Sequence, residues 1–326
     1  VLIVAPMTSQ PQADLGAASS RTPPVTGATR AGLIYVDKPV GLSSHDVVAI
    51  VRRAARSKRV GHAGTLDPFA TGLLVLAVGS CTRLLPYIVG EPKVYDATIR
   101  FGHETDTDDA TGTPTREQAP PHPDWLCLPH ADAREHAMAR LTGTIAQVPP
   151  AFSAKHVDGQ RAYELARRGR DVQLAPVNVT VHKWEWLAGT PTSMDVRITC
   201  GGGTYIRALA RDLGRLVGSA AHCETLRRVA SGPAHVRDAV TRDVLVPGAI
   251  ADGHVALRSP LESLGDVAHQ RLEADQLADL RHGRPLRATE PGTMAALLDG
   301  PRIVAMATRT ATDKWQPKVV LLGTEE

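Results

Sequence analysis

A chain of 326 residues has room for about two domains and for a core that needs neither disulfides nor a structural metal. Its 43% apolar and 22% charged residues are ordinary for a globular protein, and 37 basic against 34 acidic side chains leave a net charge of +3, which permits a nucleic-acid partner without demanding one. The four cysteines form no CxxC pair, which argues against a cysteine zinc site and for a reducing, cytoplasmic setting.

Residues 1–30 are rich in Pro, Thr, Ser, Ala and Gly, lack periodicity, and are expected to form a disordered extension. They show no basic segment leading into a sustained apolar one, as a secretory signal would. No apolar run along the chain approaches the roughly 20 residues of a membrane span. Order is expected from Leu33-Ile34-Tyr35-Val36, a buried strand, followed by a turn at Asp37-Lys38-Pro39-Val40-Gly41. Ser43-Ser44-His45-Asp46 has a capping-box pattern before a helix whose apolar face is Val47, Ile50, Val51, Ala54 and Ala55. That helix runs into Arg52, Arg53, Arg56, Lys58 and Arg59, which either complement its C-terminal dipole or face phosphates.

Residues 94–101 alternate as a strand, 102–129 read as a polar loop, and helices are expected at 131–141 and 162–168. Strands at 177–186 and 194–200 precede a helix at 205–217. Without a regular βαβ rhythm, the fold class is α+β rather than a doubly wound sheet. A boundary near 250–260 separates a larger domain, residues 31–252, from residues 253–326. The second is a small, mostly β module with a helix at 274–280 and short strands at 302–307 and 318–322.

The segment richest in chemistry is Gly61-His62-Ala63-Gly64-Thr65-Leu66-Asp67-Pro68-Phe69-Ala70-Thr71-Gly72. Its glycines allow tight turns and close ligand approach, and Pro68 biases Asp67 toward extended backbone. Composition alone leaves a structural turn and a catalytic loop equally open. His62 and Asp67 in one loop, ahead of the apolar anchor Leu73-Leu74-Val75-Leu76, tip the balance toward a reactive side chain on a rigid base.

The acidic stretch Thr105-Asp106-Thr107-Asp108-Asp109 suggests a metal, but counting from Asp106 the fifth and sixth positions are Ala110 and Thr111. The calcium-loop pattern fails, and no metal is expected. Gly201-Gly202-Gly203-Thr204-Tyr205-Ile206-Arg207 follows a strand and opens a helix, yet Ile206 takes the place of the third glycine of a dinucleotide fingerprint. No phosphate-binding GxxxxGKS or GxxxxGKT occurs. The N–H groups at this helix start suit an RNA phosphate, and Arg207 suits a carboxylate or phosphate; taken alone, however, the stretch reads better as a routine helix start with a surface arginine.

Asp37-Lys38-Pro39-x-Gly41-x-Ser43-Ser44, the loop 61–72, Lys93-Val94-Tyr95, Thr105-Asp106-Thr107-x-Asp109, Pro149-Pro150-x-Phe152-Ser153-Ala154 and Gly203-Thr204-Tyr205-Ile206-Arg207 follow one another along the chain. In that order they resemble the bacterial tRNA pseudouridine synthases of the TruB type, which modify uridine 55 in the T loop. The resemblance runs from about Gly32 to Arg228, and more weakly through a C-terminal module that resembles a PUA domain. It implies a mixed-sheet pseudouridine synthase catalytic domain followed by a small, mostly β, PUA-like RNA-binding domain. The implied partner is the T-arm stem-loop of tRNA, bound by a monomer with no membrane, no protein partner and no cofactor.

The resemblance also assigns roles. Asp67 matches the family's essential aspartate. His62 matches the histidine that enters the T loop where the target base is flipped out, and Tyr95 the tyrosine that stacks on the flipped uracil. Tyr205 and Arg207 match a pair whose arginine meets the catalytic aspartate, and Leu226 a leucine lining the base pocket. One departure is His156, where the family usually has lysine; Lys155, one position earlier, is its available substitute. The implied reaction oxidises nothing and imports no group, so no cofactor or metal is called for. A carboxylate serves it as nucleophile or as base. A chaperone that unfolds and refolds tRNA without catalysis is the alternative of another class, and replacing Asp67 separates the two.

Overall fold

The computed structural model describes residues 31–88, 90–127, 132–153, 156–157, 160–161 and 174–322. The expected N-terminal extension, the helix expected at 162–168 and Lys155 lie outside them.

The chain enters on strand β1 (Gly32–Lys38) and turns into helix α1 (Ser44–Ala55). The capping box forms as expected: the Ser43 hydroxyl accepts from the Asp46 N–H at 3.2 Å, and the Asp46 carboxylate accepts from the Ser43 N–H at 2.8 Å. Strands β2 (Val60–His62) and β3 (Thr71–Val78) follow, then β4 (Lys93–Phe101), on which Tyr95, Ala97, Ile99 and Phe101 alternate inward.

The stretch 102–129, expected as a loop, instead contains a hairpin of β5 (His103–Thr105) with β6 (Pro114–Glu117) and a short helix α2 (Pro123–Cys127). β6 is exposed throughout, so it leaves no alternation in the sequence. Helix α3 (Asp132–Arg140), β7 (Gly143–Gln147) and the two-residue pair β8 (His156–Val157) and β9 (Gln160–Arg161) come next. They lead to β10 (Val177–Thr190), β11 (Ser193–Cys200), helix α4 (Ile206–Leu216), β12 (Ala221–Ser231), β13 (Ala234–His235) and β14 (Val240–Thr241).

These strands build a ten-stranded mixed sheet in the order β14-β1-β3-β12-β4-β11-β10-β7, with β2 beside β3 and β13 beside β12. Only the β1–β14 and β3–β12 pairs are parallel. α1 covers one face of β1 and β3, burying Val47, Val51 and Ala54 against Ile34, Val36, Leu74 and Leu76. α4 packs Leu209, Ala210 and Leu213 into a cluster with Ile99, Val196 and Ile198. β1 and β3 are nearly continuous apolar runs because their other face is covered too.

The cover on that face is the C-terminal module. Strands β15 (Ala268–Arg271), β16 (Leu286–Arg287), β17 (Met294–Asp299), β18 (Arg302–Arg309) and β19 (Lys314–Val320), with helix α5 (Ala274–Arg281) after β15, form a five-stranded sheet in the order β15-β17-β18-β19-β16. Leu33, Tyr35, Leu73 and Val75 of the main sheet cluster with Ala296, Leu298, Ile303 and Met306 of the smaller one. Each fully buried aliphatic side chain in such a seam contributes about 1.5–3 kcal/mol. The chain is thus α+β with a separate, mostly β C-terminal sheet.

Candidate active site

Asp67 lies in the connection between β2 and β3, and buried groups hold the backbone on both sides of it. Lys38, at the end of β1, is fully buried and donates to the carbonyls of Pro39, Leu42 and Pro68 at 3.0, 2.6 and 3.3 Å. Burial lowers its pKa to about 8, against the opposing pull of Asp67 and Asp46. The Gly41 N–H adds a 2.8 Å bond to the Pro68 carbonyl. Ser44, the first residue of α1, brackets Leu66: its hydroxyl donates to the Leu66 carbonyl at 3.1 Å and accepts from the Leu66 N–H at 2.9 Å. From β12, Arg228 donates to the carbonyls of Gly64, Thr65 and Leu73. Gly72, where β3 meets β12, has φ +98°, and a Cβ there would run into the Arg228 backbone, so the position needs glycine.

With its loop fixed, the Asp67 side chain stands 36% exposed and meets Arg207. Arg207 is in the first turn of α4, where side chains lean toward the helix start. Its Nε lies 2.9 Å from Asp67 Oδ2, but the N–H is not aligned on that oxygen, so the contact is a charge pair rather than a hydrogen bond. The rest of the guanidinium is immobilised: Nη1 donates to the Thr107 carbonyl at 2.7 Å and lies 3.6 Å from Asp109 Oδ2, while Nη2 donates to the Phe152 carbonyl at 3.1 Å.

The acidic stretch forms the wall behind this pair. Asp109 Oδ1 accepts from the Thr107 and Thr111 hydroxyls and the Thr111 N–H, and Asp106 accepts from the Thr113 N–H. Asp108 meets Arg211 at 2.7 Å; burial pushes its carboxyl up to about 6, with Arg211 and Arg207 pulling the other way. One turn further along α4, Arg215 pairs with Glu104 at 2.6 Å. Arg207, Arg211 and Arg215, four residues apart, thus form one stripe facing a row of carboxylates.

Three of the four remaining sequence-predicted residues are placed as follows. Tyr95 is buried on β4 opposite Ile198 and Arg228. Burial raises its hydroxyl pKa, opposed by the charge of Arg228, and Asp67 is close enough to act on it. Tyr205 caps α4 and is clamped by Gln147, which accepts from its N–H at 2.9 Å and donates to its carbonyl at 3.1 Å. Its hydroxyl pKa is raised by burial, opposed by the nearby Ser153 and Arg207, with Asp67 again in range. Leu226 shares an apolar cluster with Leu66, Ala70 and Tyr95.

His62 sits apart, at the start of the loop and edge-on to His45 with ring centroids 5.9 Å apart. Its Nδ1 is buried without a hydrogen-bond partner among the described residues, and burial, then His45 and Arg228, lower its pKa and favour the neutral ring. Of the basic run after α1, Arg56 pairs with Asp252 at 2.7 Å and Arg52 donates to the Val60 carbonyl at 3.4 Å. Arg53, Lys58 and Arg59 are exposed and make no ion pair among the described residues.

Sequence reasoning gave Lys38, Asp108 and Asp109 no role although all three lie in stretches it singled out, and it passed over Arg211 and Arg228. The four-residue spacing of the arginines on α4 was the available signal for Arg211; Arg228 offered none.

Residues 52–206 match the family model described as TruB family pseudouridylate synthase, N terminal domain. Over 307 residues, 90% of this chain and 99% of the relative, the chain is 42% identical to the tRNA pseudouridine synthase B of Thermobifida fusca. It is 45% identical over 265 residues, 80% of this chain and 85% of the relative, to the protein of the same name from Leifsonia xyli subsp. xyli. Among solved structures, an H/ACA RNP bound to a substrate RNA containing 2'-deoxyuridine is similar with a TM-score of 0.65, over 91% of this chain and 86% of that one. At 20% identity, that likeness is one of fold.

Proposed function

The chain belongs to the TruB family of pseudouridylate synthases, and from that premise we propose that it converts uridine 55 in the T loop of tRNA to pseudouridine. The observation that carries this reading is the charge pair of Asp67 with Arg207 at 2.9 Å, with the hydroxyls of Tyr95 and Tyr205 in range of the same carboxylate.

The reaction breaks the N1–C1′ glycosidic bond, turns the uracil and joins C5 to C1′. C5 gives up a proton and N1 gains one, so the balance closes without oxidant, reductant or co-substrate. An ionised carboxylate has three ways to help: adding to the ring, adding to C1′, or removing a sugar proton. Each needs the Asp67 carboxylate aimed, and the immobilised Arg207 guanidinium gives it a fixed partner.

The target base has to leave its stack to be reached. In this reading His62 enters the T loop, Tyr95 stacks on the extruded uracil, and Leu226 and Tyr205 wall the pocket. Readers of RNA loops use such stacking surfaces on splayed-out bases. We assign the chemistry to residues 31–252 and backbone binding to residues 253–326, acting as a monomer. Arg271, Arg281 and Arg287 are exposed there without an ion pair among the described residues. With Arg53, Lys58 and Arg59 they supply cations for phosphates.

The test is incubation with an unmodified tRNA transcript, followed by mapping of pseudouridine along the RNA. One new pseudouridine, at position 55 and at the same yield in EDTA, is the expected product. No product, or a product at another position, refutes the assignment.

A further inference from the structure

Arg228 is 1% exposed, and no carboxylate lies within ion-pair distance of it among the described residues. A buried cation without a counter-charge is costly, and an apolar side chain of similar length would fill the space with less penalty. Its bonds show what the charge is used for. Nε donates to the Leu73 carbonyl at 2.7 Å, Nη2 to Gly64 at 3.1 Å and Nη1 to Thr65 at 3.4 Å. Gly64 and Thr65 lie just before Asp67, and Leu73 begins the buried run just after it. Arg228 also stands directly opposite Tyr95 across the β4–β12 pair, and its charge acts on the Tyr95 hydroxyl, which Asp67 and Cys200 also face. One planar group therefore bonds both ends of the Asp67 loop from the strand position opposite the neighbouring tyrosine.

We propose that Arg228 is a positioning residue of this site, its guanidinium tying both ends of the Asp67 loop together opposite Tyr95 on β4, so that carboxylate and aromatic ring keep one mutual geometry. This rests on the roles given above to Asp67 and Tyr95. A lysine at 228 keeps the charge but not the planar fork, so it cannot span carbonyls on both sides of the loop. A displacement of about 1 Å at a reacting group costs about a hundredfold in rate.

The experiment uses the full chain and unmodified tRNA transcript, with Arg228→Met and Arg228→Lys checked for folding by circular dichroism. In Arg228→Met the single-turnover rate is expected to fall about a hundredfold while the Kd for tRNA stays within about threefold; Arg228→Lys recovers part of the rate, to within about tenfold of wild type. A second readout follows the hydroxyl itself. With tyrosines carbon-13 labelled at Cζ, and the Tyr95 resonance identified by its loss in Tyr95→Phe, Tyr95 titrates at higher pH in Arg228→Met than in wild type, because the opposing cation is gone. In Arg228→Lys it titrates near the wild-type value.

A side chain that merely fills space would leave that titration unmoved. If Arg228→Met does not fold, Arg228→Lys decides: a slower rate at unchanged Kd supports the proposal, and full activity overturns it. A folded Arg228→Met with near-wild-type rate, or with an unmoved Tyr95 titration, overturns it as well. Should wild-type protein make no pseudouridine in tRNA, the proposed function fails on that ground, and the Tyr95 titration alone then decides whether Arg228 holds the tyrosine.

Discussion

In the main sheet and on α4, Arg207, Arg211 and Arg228 are 3%, 7% and 1% exposed and bonded to carbonyls or carboxylates; in the C-terminal module Arg271, Arg281 and Arg287 are exposed and make no ion pair among the described residues. The same side chain is used in two physical regimes. A buried guanidinium has one orientation, and removing it strands its partners without compensation. An exposed one is mobile and screened by salt, and its value appears when it displaces counterions from a phosphate backbone. The first kind sets geometry at Asp67, whereas the second is suited to holding RNA. The two sheets meet through the apolar seam of Leu33, Tyr35, Leu73 and Val75, so cutting away the C-terminal module would bare a hydrophobic face. Point substitutions are the cleaner way to separate the regimes.

The largest effect is expected at the carboxylate that the buried arginines serve. Asp67→Asn keeps the shape but is neither nucleophile nor strong base, so pseudouridine formation should drop to background while tRNA binding stays within about tenfold. Turnover clearly above background in the purified variant would take Asp67 out of the chemistry. Retained tRNA refolding by the same variant would reveal a chaperone activity independent of catalysis.

Arg207→Ala comes next, with an expected loss of about a thousandfold in single-turnover rate, because it leaves Asp67 and Asp109 beside an empty site. Arg207→Lys should lose about a hundredfold, since the ammonium cannot reproduce the bonds to the Thr107 and Phe152 carbonyls. Wild-type activity in Arg207→Lys would mean that charge alone matters there.

A smaller effect is expected from the combined substitution of Arg271, Arg281 and Arg287 by alanine. The Kd for tRNA should rise about tenfold and the slope of log K against log salt should become shallower by about 2–3, with the rate at saturating enzyme unchanged. A salt slope equal to wild type would remove these arginines from the RNA contact.

The smallest effect concerns stability. Lys38 has its pKa lowered from 10.5 to about 8, so between those values the unfolded chain binds more protons than the folded one. The stability contributed by this site therefore rises with pH across that window and is lower below pH 8. Urea midpoints of wild type minus Lys38→Met should increase from pH 8 to 10.5; a flat difference would contradict the lowered pKa.

Much of the frame is legible in the sequence because it follows local rules. β1 and β3 are apolar runs bounded by turn residues, α1 announces itself through Ser43 and Asp46, and α4 follows three glycines. β12 was missed for identifiable reasons. Its register shifts between Cys223 and Thr225 and between Arg228 and Ala230, which breaks the alternation, and its buried residues include His222 and Arg228. The loop of Asp67 is conspicuous as a motif, but much of what immobilises it comes from Ser44 and Arg228, 23 and 161 positions from Asp67, and is visible only once the sheet is assembled. His62 illustrates the converse. Its motif is unmistakable, yet its place at the edge of the loop, against His45, follows from packing that no spacing encodes.

The division between fixed and exposed arginines is tested most directly by one salt series on unmodified tRNA, measuring Kd and single-turnover rate at saturating enzyme for wild type, Arg207→Ala and the Arg271, Arg281 and Arg287 triple variant side by side. The prediction is that Arg207→Ala stays far below wild type in rate at every salt concentration with an unchanged Kd slope, while the triple variant reaches the wild-type rate with a shallower slope. A triple variant that loses rate at saturation, or an Arg207→Ala protein that loses only affinity, would contradict the account.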